Sequence, residues 1–255
     1  MSILFQRDAA SDRALGAFWL GGSCSRDYGI ILASPPPKIF AERDVEKTSV
    51  AGRSGDLIRD NGRYKNIQIP YKCTLIPNAW ESYRDAAERA VQILAPTAGY
   101  QRLTNVYEPW CYQMARISAG ISIESLVEQA GAFEIQFDCK PQRYLFSGEI
   151  PITFTAPGEL YNDYSPALPL IKVIGAGDST LTIGGILVQI YGQTEPIFLD
   201  CDLQNAYRET AEGIKENRNN QISAPVFPVL HPGTNVVTWT GGITSLEITP
   251  RWWTI

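Results

Sequence analysis

Two aspartates, Asp200 and Asp202, flank Cys201 and are candidates for acid–base or metal chemistry. On a strand, residues i and i+2 project from the same face, so the two carboxylates would lie side by side. Such a pair can bind a cation, and it can hydrolyse a glycoside when an apolar pocket keeps one carboxyl group protonated. Two aspartates beside a turn are more commonly the solvated edge of a strand. We therefore predict no catalytic residue at this position.

The single histidine, His231, precedes Pro232-Gly233 in a predicted turn. A catalytic triad or a zinc site requires partner side chains at supporting positions, and the sequence offers none beside this residue. The cysteines are odd in number and form no Cys-x-x-Cys pair, which favours reduced thiols that act as small hydrophobic residues. They are Cys24, Cys73, Cys111, Cys139 and Cys201. The sequence predicts no metal, no cofactor and no disulfide.

Nucleotide and nucleic-acid functions are also disfavoured. Gly175-Ala176-Gly177 lacks the third glycine of a dinucleotide-binding loop, and no phosphate-binding Gly-Lys-Ser/Thr motif occurs. The net charge is −5 and the basic residues form no stripe, so the electrostatic attraction that drives nucleic-acid binding is missing. Arg7 and Asp8 soon interrupt the apolar start, so we predict neither a signal peptide nor a membrane-spanning helix, and expect synthesis in a cytoplasm.

The elements that position these residues are predicted to be mostly strands. Among 255 residues, 12 Tyr, 6 Trp and 9 Phe accompany 21 Gly and 17 Pro, which favours strands joined by tight turns. Apolar residues alternate with polar ones along Ile67–Leu75, which indicates a half-buried strand. Just before it, Asn61-Gly62 suits a two-residue hairpin turn, because both central residues of that turn need positive φ.

One helix is predicted, from Asn78 to a stop at Pro96 and Gly99. Glu81 follows Asn78 by three residues, as in a capping box. Residues at helical spacing define the predicted buried face. They are Trp80, Tyr83, Ala87, Val91 and Leu94.

Two domains are predicted, over residues 1–148 and 149–255. The alternating strand around Phe133–Cys139 ends the first, and repeated prolines after Gly148 mark the boundary. In the second, Gly184-Gly185 predicts a hairpin, and Gly241-Gly242 is interpreted as a separator between two strands. We predict strands with one helix and a β-hairpin in the first domain, and a galectin-like or jelly-roll β-sandwich in the second.

Several segments, taken in order, resemble the distal tail protein of siphovirus-type bacteriophages, which have long non-contractile tails. The resemblance runs from about Phe18 to the C-terminus, and residues 1–17 precede it. The matching segments are Ser25-Arg-Asp-Tyr-Gly29, Pro35-Pro-Pro37, Val50-Ala-Gly-Arg-Ser-Gly-Asp-Leu57, Asp60-Asn-Gly-Arg-Tyr-Lys-Asn66, Tyr100-Gln-Arg-Leu103, Cys139-Lys-Pro-Gln-Arg-Tyr-Leu145 and Pro250-Arg-Trp-Trp253. Their collinear order carries the resemblance, because no single segment is distinctive.

The resemblance implies a structural virion protein rather than an enzyme. Its N-terminal domain would be a β-sandwich with one helix and a β-hairpin. That domain would assemble into a homo-hexameric ring that joins the tail tube protein to the tail-tip hub, or tail-associated, protein. Its galectin-like C-terminal domain would dock receptor-binding or adsorption proteins. The protein would be made in the host bacterial cytoplasm and would act in the virion tail tip, without binding nucleic acid or membrane directly.

The resemblance also implies sites. The ring-forming region includes the hairpin from Gly52 to Tyr64, so Arg53, Asp56 and Tyr64 are candidate interface residues. Trp252 and Trp253 are candidates for docking of the apolar C-terminal tail, which should be tied down by a sheet or another chain. Because DNA must slide through the ring, we expect a net negative inner wall. The alternating acidic run of Glu42, Asp44 and Glu46 is either part of that wall or rim, or a solvated strand edge.

Two other functions stay open. A carbohydrate-binding module that recognises host cell-wall polysaccharide is the main alternative, since a β-sandwich with exposed aromatic residues such as Trp239 could stack on sugar rings. A glycoside hydrolase is the more remote one and depends on Asp200 and Asp202. The resemblance does not include the long insertion that carries a sugar-binding module in some relatives, which weakens the case for direct receptor binding.

Overall fold

The structure is a computed structural model that describes residues 16–95, 98–118, 124–127 and 130–255. The mainly β fold class predicted from the sequence is confirmed. The chain divides into two units, one of which runs to Arg143 and includes Ile255, while the other spans Tyr144–Thr254. The division into two domains at residue 148 stays a prediction.

The first unit combines short strands with one long strand and a helix. Its strands are β1 (Phe18–Leu20), β2 (Ser23–Cys24), β3 (Ile30–Leu32), β4 (Arg43–Thr48), β5 (Leu57–Tyr64), β6 (Ile67–Leu75), β7 (Gln101–Asn105), β8 (Cys111–Ile117), β9 (Glu124–Val127) and β10 (Ala130–Leu145), whose last two residues belong to the second unit. A 3₁₀ turn covers Ser25–Tyr28, and helix α1 covers Tyr83–Leu94.

The main sheet of the first unit has the strand order β2-β1-β7-β8-β10-β6-β3. One hydrogen bond, from the Leu32 amide to the Gly16 carbonyl at 2.7 Å, links the end of β3 to the segment just before β1. Strands β6 and β10 pair in antiparallel register from Ile67 opposite Cys139 to Leu75 opposite Gly131. Their alternating apolar residues all face the enclosed core, as the period-two pattern predicts.

Three aromatic rings fill the centre of this core. Tyr71 lies edge-on to Phe18 and to Phe137, with ring centroids 5.7 and 4.9 Å apart. Asn105 donates to the Tyr71 hydroxyl at 3.1 Å, which satisfies the one polar atom of that ring. Burial raises the pKa of Tyr71, so the phenol stays neutral.

Helix α1 begins later than the sequence predicts. The Asn78 amide does donate to the Glu81 carboxylate at 2.8 Å, but this contact belongs to the preceding turn. The N-cap is Ser82, whose hydroxyl accepts from the Asp85 amide at 3.2 Å.

The later start changes the buried face of the helix. Trp80 therefore lies outside the helix and is fully exposed, and Val91 faces solvent. Tyr83 and Ala87 are partly buried against the core, and Leu94 is buried as predicted. The fully packed positions are Ala86, Ala90, Ile93 and Leu94.

Strands β4 and β5 form a hairpin of their own, with its connection at residues 49–56. The prediction of a turn at Asn61-Gly62 is wrong, because both residues lie within β5. Gly62 has the predicted positive φ of 73°, but it serves a bulge where the register shifts between Arg43 and Val45. A bulge and a turn require the same backbone freedom, so the dipeptide alone does not distinguish them.

Nine strands of the second unit form one antiparallel sheet around a single core, and its last strand, Trp253–Thr254, lies outside that sheet. Its strands are β11 (Ile152–Phe154), β12 (Gly158–Asn162), β13 (Leu170–Ile183), β14 (Ile186–Gln193), β15 (Ile197–Asp200), β16 (Asn205–Glu209), β17 (Lys215–Asn217), β18 (Ile222–Ser223), β19 (Gly233–Thr249) and β20 (Trp253–Thr254), with 3₁₀ turns at Phe146–Glu149 and Asn219–Gln221. The Gly184-Gly185 hairpin between β13 and β14 forms as predicted.

Two long, bent strands organise this unit. The first half of β13 pairs with β15 and the second half with β14, while β19 pairs along both halves. At the bend, a Cβ on Gly242 would lie 1.6 Å from the Ala176 carbonyl oxygen, so only glycine fits. The prediction that Gly241-Gly242 separates two strands is therefore wrong. The pair lets one continuous strand bend and contribute to both halves of the sheet.

Candidate assembly surface

The hairpin of β4 and β5 has no core of its own. It forms a two-stranded sheet, and no residue from 43 to 64 is buried. An isolated two-stranded hairpin is at best marginally stable in water. A hairpin of this length is therefore suited to being completed by another protein surface.

Cross-strand ion pairs stabilise one face of the hairpin. Three acidic residues on or next to β4 lie opposite three basic residues on or next to β5. The pairs are Glu42–Lys65 at 3.9 Å, Asp44–Arg63 at 2.6 Å and Glu46–Arg59 at 4.0 Å. Exposed pairs of this kind contribute at most about 1 kcal/mol each. Their main consequence is that the acidic run is neutralised locally, so it does not present an uncompensated negative surface.

The other face of the hairpin positions one predicted interface residue. Arg43 pairs with Asp60, and its guanidinium lies 4.7 Å from the centroid of the Tyr64 ring. The Gly62 amide donates to Asp60 at 2.9 Å. The bond from the Gly62 amide has the largest effect on Asp60 and the bond from Arg43 the next largest. Both lower the pKa of Asp60, so the carboxylate stays charged. Tyr64 is thus held in a defined orientation at the base of the hairpin.

The other two predicted interface residues lie at the hairpin tip. Arg53 and Asp56 are exposed in the connection between the strands, and the Arg53 amide donates to the Val50 carbonyl at 3.2 Å. Gly52 and Gly55 supply positive φ angles of 79° and 87° in this connection. The structure therefore places all three candidates on one hairpin but at opposite ends of it.

Large apolar side chains are exposed along the hairpin and in the segment that leads into it. Phe40, Leu57 and Ile58 are exposed by 65, 55 and 62%, and Val50 by 44%. Several large apolar side chains exposed on a hairpin that has no core of its own suit a contact with another protein. Sequence reasoning missed both this exposure and the ion-pair ladder. The complementary charges of residues 42–46 and 59–65 were the available signal.

The C-terminal tail is anchored within the second unit. Trp252 is 7% exposed and belongs to the core, next to Tyr164 with ring centroids 6.3 Å apart. The Leu145 amide donates to its carbonyl at 2.9 Å. The Trp253 indole donates to the Pro166 carbonyl at 2.9 Å and is partly exposed. Of the two tryptophans, Trp253 is therefore the one that can reach another protein.

Asp200 has a structural role. Arg251 donates to both of its carboxylate oxygens, at 2.7 and 3.0 Å, and the amides of Asp202 and Leu203 donate to it at 3.2 and 3.3 Å. Burial raises the pKa of Asp200, but Arg251 and the amides of Leu203 and Asp202 together outweigh burial, and the net shift is downward. The prediction that Asp200 is a solvated strand edge is wrong, because its side chain is buried and Arg251 compensates its charge. Asp202 is exposed in the following turn, so the two carboxylates have separate environments.

The other candidates for chemistry have ordinary structural surroundings. His231 is exposed in a turn, where its amide donates to Asn235 at 2.9 Å. Burial raises the pKa of both Cys73 and Cys139 to about 12, so neither thiol ionises at neutral pH. Across residues 16–255, leaving out the undescribed gaps, no three His, Cys, Asp or Glu side chains are placed to hold a metal ion. No helix in the described part of the chain is long and apolar enough to span a membrane.

Comparison with known proteins agrees with this arrangement. Residues 26–139 match the family model of the phage tail protein RIFT-related domain. Residues 26–139 are therefore similar to a phage tail domain. The crystal structure of the SPP1 Dit (gp 19.1) protein, described as a paradigm of the hub adsorption apparatus in phages that infect Gram-positive bacteria, matches with a TM-score of 0.70. The match covers 91% of this chain and 97% of that chain, at 14% sequence identity.

No curated protein sequence matches the chain significantly. The recognition of a siphovirus-type distal tail protein, predicted from the ordered segments, is confirmed by the domain match and the structural match together. The phage tail domain covers the hairpin and α1 but ends before the second unit begins. The structural match is therefore what extends the likeness to β11–β20.

Proposed function

We propose that this protein is a structural component of the phage tail tip and acts as its distal tail, or baseplate hub, protein. Six copies form a ring that connects the tail tube protein to the tail-tip hub protein, and the second unit docks adsorption proteins. The observation that supports this role is the fold match over nearly the full length of both chains, combined with the phage tail domain at residues 26–139.

The hairpin of β4 and β5 is proposed as the contact between neighbouring protomers. It lacks a core of its own, exposes Leu57 and Ile58, and keeps Tyr64 fixed by Arg43. Burial of these apolar side chains against the next copy would remove them from water, which contributes about 25 cal/mol for each Å² of apolar surface. Arg53 and Asp56 at the tip are placed to pair with charges of that copy.

The proposed role is structural and not enzymatic. The residues that could have supplied catalysis are engaged in the fold: Asp200 anchors Arg251, and His231 closes a turn. A net negative ring wall remains our expectation, because phosphate groups bind basic linings strongly. Residues 42–65 contain six basic and five acidic residues, so the negative charge of the wall should come from other parts of the chain.

The ring is tested by measuring the mass of the purified protein by mass photometry and, at higher concentration, by light scattering. We expect a species with the mass of six 28.2 kDa chains. A monomer at high concentration would refute the ring. Saturable binding of cell-wall polysaccharide by such a monomer would favour the carbohydrate-binding alternative instead.

The hairpin contact is tested with Ile58→Asp. Placing a carboxylate in a dry interface should weaken assembly at least about 10-fold without changing the melting temperature, because Ile58 is exposed in the single chain. Leu187→Asp is the matched control, since Leu187 is an exposed strand residue of the second unit. Normal assembly of the Ile58→Asp protein would exclude the hairpin as the contact.

A further inference from the structure

Trp80 is presented on a rigid, strained turn. It is fully exposed, and its φ of 71° is rare for a bulky residue. The turn is braced by Glu81, whose carboxylate accepts two bonds from the Arg89 guanidinium at 2.8 and 3.0 Å. Arg89 also donates to the Asp27 carbonyl at 2.8 Å. Strain that holds a large apolar side chain in solvent is typical of a binding element.

The same unit contains a cavity that fits an aromatic side chain. Its volume is about 210 Å³, and its walls include Pro36, Phe40 and Tyr71. A water molecule occupies about 30 Å³ of liquid volume, so the cavity has room for a group as large as an indole ring. The cavity is partly open, so another chain can reach it from outside.

Two polar side chains that line the cavity are not available to a ligand. Gln113 is nine-tenths buried, and its Nε2, which makes no hydrogen bond to any described residue, exposes less than 1 Å² of surface and lies behind the cavity wall. Arg143 is paired with Glu108. The cavity therefore suits an apolar group.

The exposed tryptophan and the cavity lie toward opposite ends of β6. The cavity is beside Ile69 and Tyr71, whereas the turn that carries Trp80 follows Leu75, where β6 ends. At roughly 3.3 Å per residue, the strand separates Ile69 from Ile76 by about 23 Å. A projection at one end and a matching hole at the other define a heterologous contact, which closes into a ring when the rotation allows.

We propose that Trp80 of one protomer inserts into this cavity of the next protomer in the ring. The indole packs against Phe40 and the proline segment. This inference rests on the proposed ring and deepens it. It assigns the Trp80 side chain and this cavity to the contact between protomers, in addition to the β4–β5 hairpin.

Substitution of the knob tests the energetic part of the proposal. Trp80→Ala should weaken assembly by about 30-fold, the effect expected of a tryptophan at the centre of an interface. Its melting temperature as a monomer should not fall, because Trp80 makes no buried contact within its own chain. Leu203→Ala, at another exposed apolar residue, is the control and should leave assembly unchanged. In the double variant, Phe40→Ala should weaken assembly by less than about a further 3-fold relative to Trp80→Ala alone, because both substitutions remove the same contact.

Cross-linking tests the geometry. A protein with Trp80→Cys and Phe40→Cys should form intermolecular disulfides under mild oxidation and give a ladder of linked chains up to six. Each single substitution, and Trp80→Cys combined with Leu203→Cys, should not. This inference would be overturned if the Trp80→Ala protein formed normal rings, or if the protein with Trp80→Cys and Phe40→Cys formed rings without a ladder. Either result would leave the proposed ring intact. Failure of the unchanged protein to assemble would overturn the proposed ring and this contact with it.

Discussion

Arg251→Met is expected to destabilise the second unit by about 2–3 kcal/mol at pH 7. The Asp200 carboxylate is 4% exposed, so removing its cation leaves a buried charge without compensation. Such losses cost about 3–5 kcal/mol when the pair is fully buried. Two features place this pair at or below the lower end of that range. Arg251 is 30% exposed, and the amides of Asp202 and Leu203 still donate to Asp200 in the variant.

The pH dependence of this effect has a defined sign. Burial raises the pKa of Asp200, but Arg251 and the amides of Leu203 and Asp202 together reverse the shift and bring it below the ordinary value of 3.8. The stabilisation is therefore present above about pH 4 and is lost as the pH falls through the lowered pKa of the folded state. In the variant, burial is no longer opposed by Arg251, so Asp200 binds a proton more readily. The difference in stability between the two proteins should be largest near pH 7 and smaller near pH 3.

Urea unfolding followed by tryptophan fluorescence measures this difference, because Trp239, Trp252 and Trp253 report on the second unit. Lys172→Met is the control. Its ammonium lies 3.1 Å from the Glu247 carboxylate, and both side chains are about one third exposed, so the loss should stay below about 1 kcal/mol. The reasoning is refuted if Arg251→Met is within about 0.5 kcal/mol of the unchanged protein at pH 7, or if the difference is the same at pH 3.

Two further predictions concern the core. Gly242→Ala should destabilise the protein by at least about 2 kcal/mol in a thermal melt, because the added Cβ would meet a carbonyl oxygen of β13. Gly99→Ala is the control and should be neutral, because a Cβ there has open space, and equal melting temperatures of the two variants would contradict the bend. Cys24 should react with a thiol reagent at pH 8 well before Cys73 and Cys139, which are buried and have pKa values of about 12; simultaneous reaction of all three in the native protein would show that the core opens.

Local patterns in the sequence predicted the elements whose environment differs between their two faces. Ile67–Leu75 and Phe133–Cys139 alternate because one side of each strand meets the core and the other does not, and the structure has both strands. Gly184-Gly185 predicted its hairpin because both residues adopt positive φ there. The ordered segments also identified the kind of phage protein, because their order along the chain is informative although each segment is weak.

Patterns among residues close in the sequence did not predict the start of α1 or the bend at Gly241-Gly242, because both depend on contacts with distant parts of the chain. The helix has several apolar positions that fit a stripe, and only the cap at Ser82 and the packing of Ala86 and Ala90 decided that Trp80 and Val91 face solvent. Gly241-Gly242 is compatible with a turn or a bend, and the approach of β13 decided for a bend.

The sequence by itself determined a mainly β chain with two core-forming strands and one helix, because alternation and helical spacing are local properties. Tertiary structure alone decided the pairing of Asp200 with Arg251, which are 51 positions apart, and the placement of Trp80 and the cavity toward opposite ends of β6. The physical reason is that burial, charge compensation and shape complementarity depend on distances in space, which the order of residues along the chain does not specify.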